Sequence, residues 1–600
     1  MITLGLFSPL GALSELGVPE AVRGVVESAQ AEAEQPGRIL QAAWLLTWAK
    51  ALHLIFLPVL DASRPWQLRY ALGDGLLGVC RIAYRFDSVE RFLGELTRLQ
   101  VGHDLRRALC RTWVQILTEM GEPLHIYVDP HLKPHWTHLF MPCGKVATLN
   151  RVMPCTRQVM VTNALGYVWE IIDQVGDDHL THTLLGLEQE MEHVTGHAVT
   201  LTVADREANG LELAQKYAQS DHFALLTLLD STASAGLIVG TPAFRKTFRL
   251  TGRWQPLATQ AGESLAPAIW APEQEASQDP RVFWLVRDDG SLKLLAVYSL
   301  SRPVADCAPD AAALLKGSAT RTLYRARWSA SENVIREMVH GDNLNENYGY
   351  DYRPVPNRLR QRQQAEAQAQ VNTTQTQLAN TQRQLAEVHA RLAQYEQTWA
   401  TQRAALDTAR TERQVELHTR QQVAQPTRRV EQQLAQLDRQ ADRLDQRHVQ
   451  RTHKIQTRTL AQLDARREQL EATRGERQAA LAQIDIDQPM FERDLEKDQI
   501  MADFQAALLN AHRWCCNHYF TGEWSRLELE TATARIYRQR GHVIYADDRV
   551  DVTLAAFAYR SEQTLAEAAC ARFNAARVHE AAGRLIVMAV APFKHCVRHL

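Results

Sequence analysis

The fold and the candidate site are predicted around the stretch Arg321–Tyr350, RTLYRARWSASENVIREMVHGDNLNENYGY. It places one acid, Glu332, at the predicted start of a helix, where Ser329 or Ser331 can cap the first turn. Free N–H groups and the helix dipole favour an acid there, which is a sufficient structural reason for Glu332. The residues just before Glu332 indicate a function as well, because arginines and aromatic side chains suit phosphate contact and base stacking. These residues are Arg321, Tyr324, Arg325, Arg327 and Trp328.

Length and composition limit the class of protein. A chain of 600 residues is too long for one hydrophobic core, so three or four structural units are expected. The net charge of −2 excludes a global attraction to polyanions and leaves only local patches for nucleic acid. The nine cysteines include no CxxC pair, which predicts reduced thiols, no zinc module and a cytoplasmic protein. The longest apolar run, 39–60, contains Lys50 and His53, so no membrane-spanning helix is expected.

Residues 120–235 have the pattern of an α/β core. The β-rich runs LHIYVD, VMVTN, YVWEIID, AVTLTVAD and HFALLTLLD are interrupted by two helical stretches. The order strand, strand, strand, helix, strand, helix, strand is that of a ribonuclease-H-like fold. Two runs end in an aspartate, Asp129 and Asp205, and a solvated acid at the end of a buried strand is common. Two such acids followed by Glu332 on a later helix are a less common coincidence and predict a shared site.

Residues 236–320 are predicted to form a β-rich insertion between the core and the Glu332 helix. The AspAspGly turn in RVFWLVRDDGSLKLLAVYSL is a strong hairpin signal. Upstream, Arg245, Lys246 and Arg249 lie among aromatic residues, which predicts a strand that faces DNA. A solvated edge strand protected by its charges is an equal alternative.

Residues 358–490 carry a heptad repeat in a segment rich in Gln, Arg, Ala and Glu. Apolar residues recur every seven positions at Val371, Leu378, Leu385, Leu392, Trp399 and Leu406. Pro426 interrupts the pattern, which predicts two arms of about 60 residues folded into an antiparallel coiled-coil hairpin ~90 Å long. A long coil formed between two chains is the alternative.

The remaining segments complete the predicted architecture. Residues 1–115 indicate a helical N-terminal domain, 321–357 add the helix of the third acid to the core, and 491–600 indicate a small α+β C-terminal domain. The C-terminal segment, 491–600, contains a second basic patch, which either contacts DNA or lies at the edge of the domain with a structural role only. The patch consists of Arg535, Arg538, Arg540 and His542. The predicted fold class is α/β, with a ribonuclease-H-like catalytic core.

The residues around the three acids resemble DDE transposases of the bacterial insertion-sequence type. Asp129 in YVDPHLKPHW, Asp205 in VADREANG and Glu332 in RARWSASENVIREM are similar to the catalytic acids of that family. Tyr324 and Arg327 resemble the first half of its Tyr-x-x-Arg…Glu signature. The resemblance covers residues 121–352, roughly, and the coiled coil resembles an insertion found in some of these enzymes.

The chain departs from the family pattern at two places. Four residues separate Arg327 from Glu332 where three are usual, and Val339 stands where a basic residue is usual. Arg336, four residues after Glu332 and therefore on the same helical face, is the candidate replacement.

The resemblance implies a DNA transposase that cleaves and joins strands at the ends of an insertion sequence. Two Mg²⁺ or Mn²⁺ ions would be held by the three acids, with Asp129 bridging both and Asp205 and Glu332 each completing one. The implied partner is double-stranded DNA, both element ends and target, bound by a homodimer that is nucleoid-associated and has no membrane contact. The residues expected to contact DNA are Tyr324, Arg327, Arg336, Arg245, Lys246 and Arg249.

Two other functions remain open from the sequence. The hairpin region is the least ambiguous part of the chain, and alone it favours a non-enzymatic coiled-coil scaffold with structural acids. A decayed transposase that still binds DNA also fits the same residues.

Overall fold

The computed structural model describes most of the chain and organises it as two compact units, Met1–Arg353 together with Phe491–Leu600, and Pro354–Met490. The described residues are 2–3, 5–33, 43–69, 85–121, 124–176, 178–208, 211–218, 224–228, 248–250, 252–256, 264–270, 282–288, 291–298 and 317–593. The six narrower domains expected from the sequence stay a prediction within this division.

The first unit is built on a mixed sheet of eleven described strands. They are β2 (His125–Pro134), β3 (Cys143–Val146), β4 (Arg151–Thr162), β5 (Val168–Val175), β6 (Leu201–Ala204), β7 (Leu225–Leu228), β8 (Phe248–Leu250), β9 (Gln255–Pro256), β10 (Ser264–Trp270), β11 (Val282–Asp288) and β12 (Ser291–Tyr298). The spatial order is β3-β4-β2-β6-β7-β12-β11-β10-β8, with β5 on β4 and β9 on β10. The strands of the predicted insertion therefore extend the central sheet through the β12–β7 pair.

The strand directions at the centre of this sheet place the candidate site. β2 pairs antiparallel with β4 and parallel with β6, and β6 pairs parallel with β7. Helix α6 (Leu180–Thr195) connects β5 to β6, and α7 (Leu211–Ala218) connects β6 to β7. Gly196 ends α6 in a left-handed conformation, with φ at 71°, which a residue without Cβ adopts freely.

Helices from both ends of the sequence cover one side of the sheet. The N-terminal helices are α1 (Phe7–Glu15), α2 (Val18–Glu32), α3 (Trp44–Ile55), α4 (Asp87–Arg98) and α5 (Gly102–Glu119). All of them except α2, which packs on α1, α3 and α5, pack with α13 (Glu496–Trp514), which also packs on β5. Nearly every residue of α13 is buried, as expected for a helix that is enclosed on all sides.

Helix α13 also satisfies the edge of the sheet at β5. The Asn510 amide donates to the Val168 carbonyl and accepts from the Val168 N–H, both at 2.8 Å. The Gln499 amide donates to the Ile171 carbonyl at 2.7 Å and accepts from the Asp173 N–H at 3.0 Å. These side chains replace the neighbouring strand that an exposed edge lacks.

The C-terminal part of this unit forms a smaller sheet of four described strands. Its order is β1-β13-β14-β15, from β1 (Ile2–Thr3), β13 (Arg540–Tyr545), β14 (Arg549–Leu554) and β15 (Leu585–Val590). Helix α15 (Arg560–Ala576) packs on β15, and the short helix α14 (Leu529–Ala532) precedes β13. Because β1 pairs with β13, the first residues of the chain belong to the same compact unit as the last.

The second unit consists of long helices that pack on each other within one chain. Helix α10 (Arg358–Gln422) contacts both α11 (Arg428–Lys454) and α12 (Ala461–Ala482), with a π-helical turn, Ile455–Leu460, between the last two. Asn357 caps α10 by accepting from the Arg360 N–H at 3.0 Å. The buried seam includes Leu385, Leu392 and Leu460. The break falls at 423–427, around Pro426.

Two further observations concern the sequence expectations. None of the helices in the described ranges is both long and apolar enough to cross a membrane. The six described cysteines, Cys110, Cys143, Cys155, Cys515, Cys516 and Cys570, are free thiols.

Candidate functional site

Asp129 lies inside a strand, and the expectation that it ends one is wrong. β2 continues to Pro134, and Asp129 is opposite Met160 of β4. Pro130 follows Asp129 directly, and a proline within a strand usually marks an edge or an end of pairing. Here the strand passes through it, with Pro130 opposite Val159.

The ladder between β2 and β6 explains why Asp129 and Asp205 are neighbours. Their parallel pairing ends at Val128 and Ala204, and the next residue on each strand is an aspartate. Adjacent strands lie about 4.8 Å apart, so the two carboxylates emerge side by side where the β2–β6 ladder ends. The acids therefore share one end of a parallel ladder even though β2 itself continues.

Glu332 is positioned by a π-helical turn, and the predicted capped helix start is wrong. Helix α8 (Gly317–Arg327) runs into the π turn Trp328–Glu332 and then into α9 (Asn333–Gly341) without an N-terminal break. The Ser329 hydroxyl donates to the Ala326 carbonyl, which is a contact within the helix. A π turn accommodates one extra residue and aligns positions five apart, so Arg327 and Glu332 point to the same side. The π turn therefore accommodates the four residues between Arg327 and Glu332, one more than the family signature has.

One guanidinium contacts all three acids. Arg327 Nη1 lies 2.8 Å from Asp129 Oδ2, and Nη2 lies 3.6 Å from Asp205 Oδ1. The same Nη2 donates to Glu332 Oε1. The three candidate carboxylates, from β2, the end of β6 and the π turn, thus converge around the Arg327 side chain.

Burial dominates the electrostatics of this cluster. Burial raises the pKa of Asp129 to about 7, although Arg327 opposes the shift. Burial likewise raises the pKa of Tyr324 to about 12. Burial disfavours the charge on Arg327, but Asp129, Tyr324 and the other two acids together raise the pKa of Arg327. Asp129 is therefore harder to ionise than an exposed aspartate, and Arg327 stays charged.

The residues expected to contact DNA are divided between buried and exposed positions. Tyr324 and Arg327 are buried, with Arg327 lying over the Tyr324 ring at 5.6 Å. Arg336 is exposed and contacts Glu528 at 2.9 Å. Arg249 lies in β8, while Arg245 and Lys246 fall outside the described residues. Their roles in DNA binding stay predictions.

The C-terminal basic patch is partly used in internal contacts. Arg535 contacts Glu523 and Glu562, both at 2.8 Å. Arg538 contacts Asp61 at 3.1 Å and donates to the Pro58 carbonyl. These contacts give the two arginines a structural role within the unit.

Sequence reasoning missed a row of polar residues that continues from Asp129 along the same face of β2 to His135, the first residue after the strand. His131 contacts Asn345 at 2.7 Å, Lys133 contacts Asp498 at 3.0 Å, and His135 contacts Thr156 at 3.1 Å. The signal was available, because DPHLKPH places a titratable side chain at every second position, the period of a strand. The row links the acid cluster to the buried Asp498 of α13.

The donor chemistry of the three acids fits hard divalent ions, but their present arrangement does not form a metal cage. Carboxylate oxygens are the ligands that Mg²⁺ and Mn²⁺ prefer. Among the residues that the structure describes, no three His, Cys, Asp or Glu side chains are grouped to hold one metal ion. At the acid cluster, the cationic position between the carboxylates is held by Arg327.

Comparison with known proteins leaves the family open. No family model matches the chain, and no curated protein matches it. A solved structure described as a piggyBac transposase synaptic complex with hairpin DNA aligns with 56% of this chain and 72% of that chain. The identity is 9% and the TM-score is 0.26, a likeness too low to decide the fold or the function.

Proposed function

We propose that this protein is a DNA transposase that cleaves and joins strands at a site formed by Asp129, Asp205 and Glu332. The observation that carries the proposal is the convergence of three carboxylates from separate elements around one guanidinium. Apart from the short strand β3, the chain order from β2 to β7 is strand, strand, strand, helix, strand, helix, strand, which supports a ribonuclease-H-like core.

The chain's own residues would provide the ligands and the surrounding charge. Divalent ions, when bound, would stabilise the charge on both the attacking and the leaving oxygen of a phosphodiester. Asp129, Asp205 and Glu332 would hold these ions. With one arginine among three acids, the ionised cluster keeps a net negative charge that favours added cations.

Arg327 would change its contacts when metal ions bind, from the three carboxylates to the DNA. Its guanidinium balances the carboxylates in the structure described here, so metal binding requires this side chain to turn away from them. Once released from the carboxylates, the Arg327 guanidinium is suited to a phosphate oxygen of the DNA.

Strand cleavage tests this function directly. Purified protein with Mg²⁺ or Mn²⁺ should nick a supercoiled plasmid that carries the DNA flanking its own reading frame. Asp129→Asn should reduce the nicking rate by at least about a thousandfold, because Asn keeps the volume but removes the charge that holds two cations. Duplex binding, measured without metal, should change little.

The matched control is Asp104→Asn, which neutralises an exposed aspartate of α5. It should nick at the wild-type rate. Wild-type protein that binds the flanking DNA and never cuts it would favour the decayed transposase. If Asp129→Asn retains cleavage, the three acids do not take part in the reaction.

A further inference from the structure

Charge is distributed unevenly between the two units. Residues 354–490 contain 21 Lys and Arg against 16 Asp and Glu, a net charge of +5. The rest of the chain is therefore at −7, which gives the total of −2. The hairpin is thus the part of the molecule with a general attraction for polyanions.

The positive charge is concentrated on one face of α11, which we call the basic face. Its cations are exposed and consist of Arg429, Arg439, Arg443, Arg447, Arg451 and Lys454. The last five follow each other at spacings of four, four, four and three residues, which keeps them on one side of a helix. The residues that lie among them on this side are all glutamines: Gln432, Gln433, Gln436, Gln440 and Gln450.

Two of the four acids of α11, Asp438 and Asp445, face the partner helix, while Glu431 and Asp442 are exposed. Asp438 contacts Arg410 of α10 at 3.0 Å, and Asp445 contacts Arg403 of α10 at 3.2 Å. The apolar seam is also separate, with Val430 and Ala441 buried against the hairpin core. The arc formed by these cations and glutamines contains no acidic or apolar residue, and the exposed Asp442 lies beside it.

The cations of this face have few partners inside the hairpin, which the structure describes throughout. Arg439 donates to the Ala435 carbonyl, and Arg451 lies 4.6 Å from the centre of the Tyr395 ring. Neither contact neutralises a charge. Arg443, Arg447 and Lys454 form no ion pair within the hairpin.

We propose that the basic face of α11 binds the phosphate backbone of duplex DNA, as a second contact separate from the acid cluster. From Arg429 to Lys454 the helix extends about 38 Å at 1.5 Å per residue, comparable with one turn of B-DNA. Arginine, lysine and glutamine side chains donate hydrogen bonds to phosphate oxygens. That the duplex is DNA rests on the proposed function.

The composition of the face distinguishes this partner from other polyanions. Membrane-surface helices insert Trp, Phe or Leu from one face, and the basic face has no apolar residue. Single-stranded nucleic acid is held by aromatic stacking, and the face has no aromatic residue. A rigid row of donors and cations suits a double-stranded backbone.

The test compares two double substitutions in the full-length chain. Arg443→Gln with Arg447→Gln removes two charges from the basic face, while Arg362→Gln with Arg383→Gln removes two exposed charges from α10. Glutamine keeps the helix propensity of arginine, and circular dichroism verifies the helix content. Binding of a fluorescent random 30-base-pair duplex is measured by anisotropy across KCl concentrations with EDTA present.

The basic-face variant should bind on the order of 10- to 60-fold more weakly at 0.1 M salt, with a salt slope shallower by about 2. The α10 variant should stay within about threefold of wild type, since it removes the same net charge from another surface. Equal weakening of both variants, or of neither, overturns the proposal. A variant that binds DNA normally but loses binding to phosphatidylserine vesicles also overturns it, in favour of a membrane.

The outcome separates the two proposals. If wild-type protein nicks DNA and the basic-face variant binds DNA as tightly as the α10 control variant, only the proposal for the basic face is refuted. Loss of binding in that variant, with no nicking by wild type under any metal condition, would refute only the transposase activity.

Discussion

At the residue scale, Arg327 determines the state of the candidate site. Residue types and spacing in the sequence predicted the three candidate acids and gave Arg327 as a DNA contact. The sequence did not reveal that the guanidinium lies among the carboxylates, since that depends on side-chain direction after folding. It also did not reveal the π turn, because the spacing was compared with an α-helical period.

Replacing Arg327 tests two effects of its charge: the stabilisation of buried Asp129 and the occupation of the position where a metal ion would bind. Arg327→Met leaves Asp129 buried without a cation, so the free energy of unfolding should fall by about 3 kcal/mol in EDTA, with a further loss above pH 7. Mn²⁺ should restore more stability to the variant than it adds to wild type, because the cationic position has been vacated. Thermal unfolding with and without Mn²⁺ measures both effects.

The control is Arg325→Met, an exposed residue on the same helix. It should change the unfolding free energy by less than about 1 kcal/mol and respond to Mn²⁺ as wild type does. An equal Mn²⁺ response in wild type and Arg327→Met would mean that guanidinium and metal do not share a position.

At the element scale, pairing between strands was harder to foresee than the strands themselves. Alternating apolar residues predicted the runs that became β2, β4, β5, β6 and β7. The predicted end of β2 was wrong, since the antiparallel ladder with β4 continues beyond Pro130. Pairing partners at long sequence separation, such as β12 with β7, leave no local pattern to read.

A buried carboxylate between α6, β6 and α7 makes their packing dependent on pH. Glu188 of α6 accepts hydrogen bonds from Thr202 of β6 and, at 2.6 Å, from Tyr217 of α7. Burial raises the pKa of Glu188 to about 8. A raised pKa means that the folded state holds the proton more tightly, so this contribution is complete below the unfolded pKa and is lost as pH rises towards 8.

Glu188→Gln should therefore match wild type in stability near pH 4.5 and exceed it by on the order of a few kcal/mol at pH 8. Urea unfolding at a series of pH values measures this difference. Glu212→Gln, which changes an exposed glutamate of α7, should show no such rise. A wild-type and Glu188→Gln difference that is constant with pH would contradict the assignment.

At the scale of the whole molecule, the chain returns to its first unit after the hairpin. The buried helix α13 comes from beyond residue 490, yet it supplies side chains to the edge of β5 and contacts the N-terminal helices. The heptads and Pro426 predicted the helices of the second unit, because a coiled coil is a local and periodic pattern. The enclosure of α13 could not be predicted in this way, since it depends on partners hundreds of residues away.

The most direct measurement of the central claim locates the metal in the folded protein. Fe²⁺ substituted for Mg²⁺ generates hydroxyl radicals with ascorbate and peroxide, and these cut the polypeptide only close to the bound ion. Mass spectrometry should find fragments ending near Asp129, Asp205 and Glu332, suppressed by excess Mg²⁺ and absent from Asp129→Asn. Cuts confined to other segments, or an unchanged pattern in Asp129→Asn, would contradict a metal site formed by these three acids.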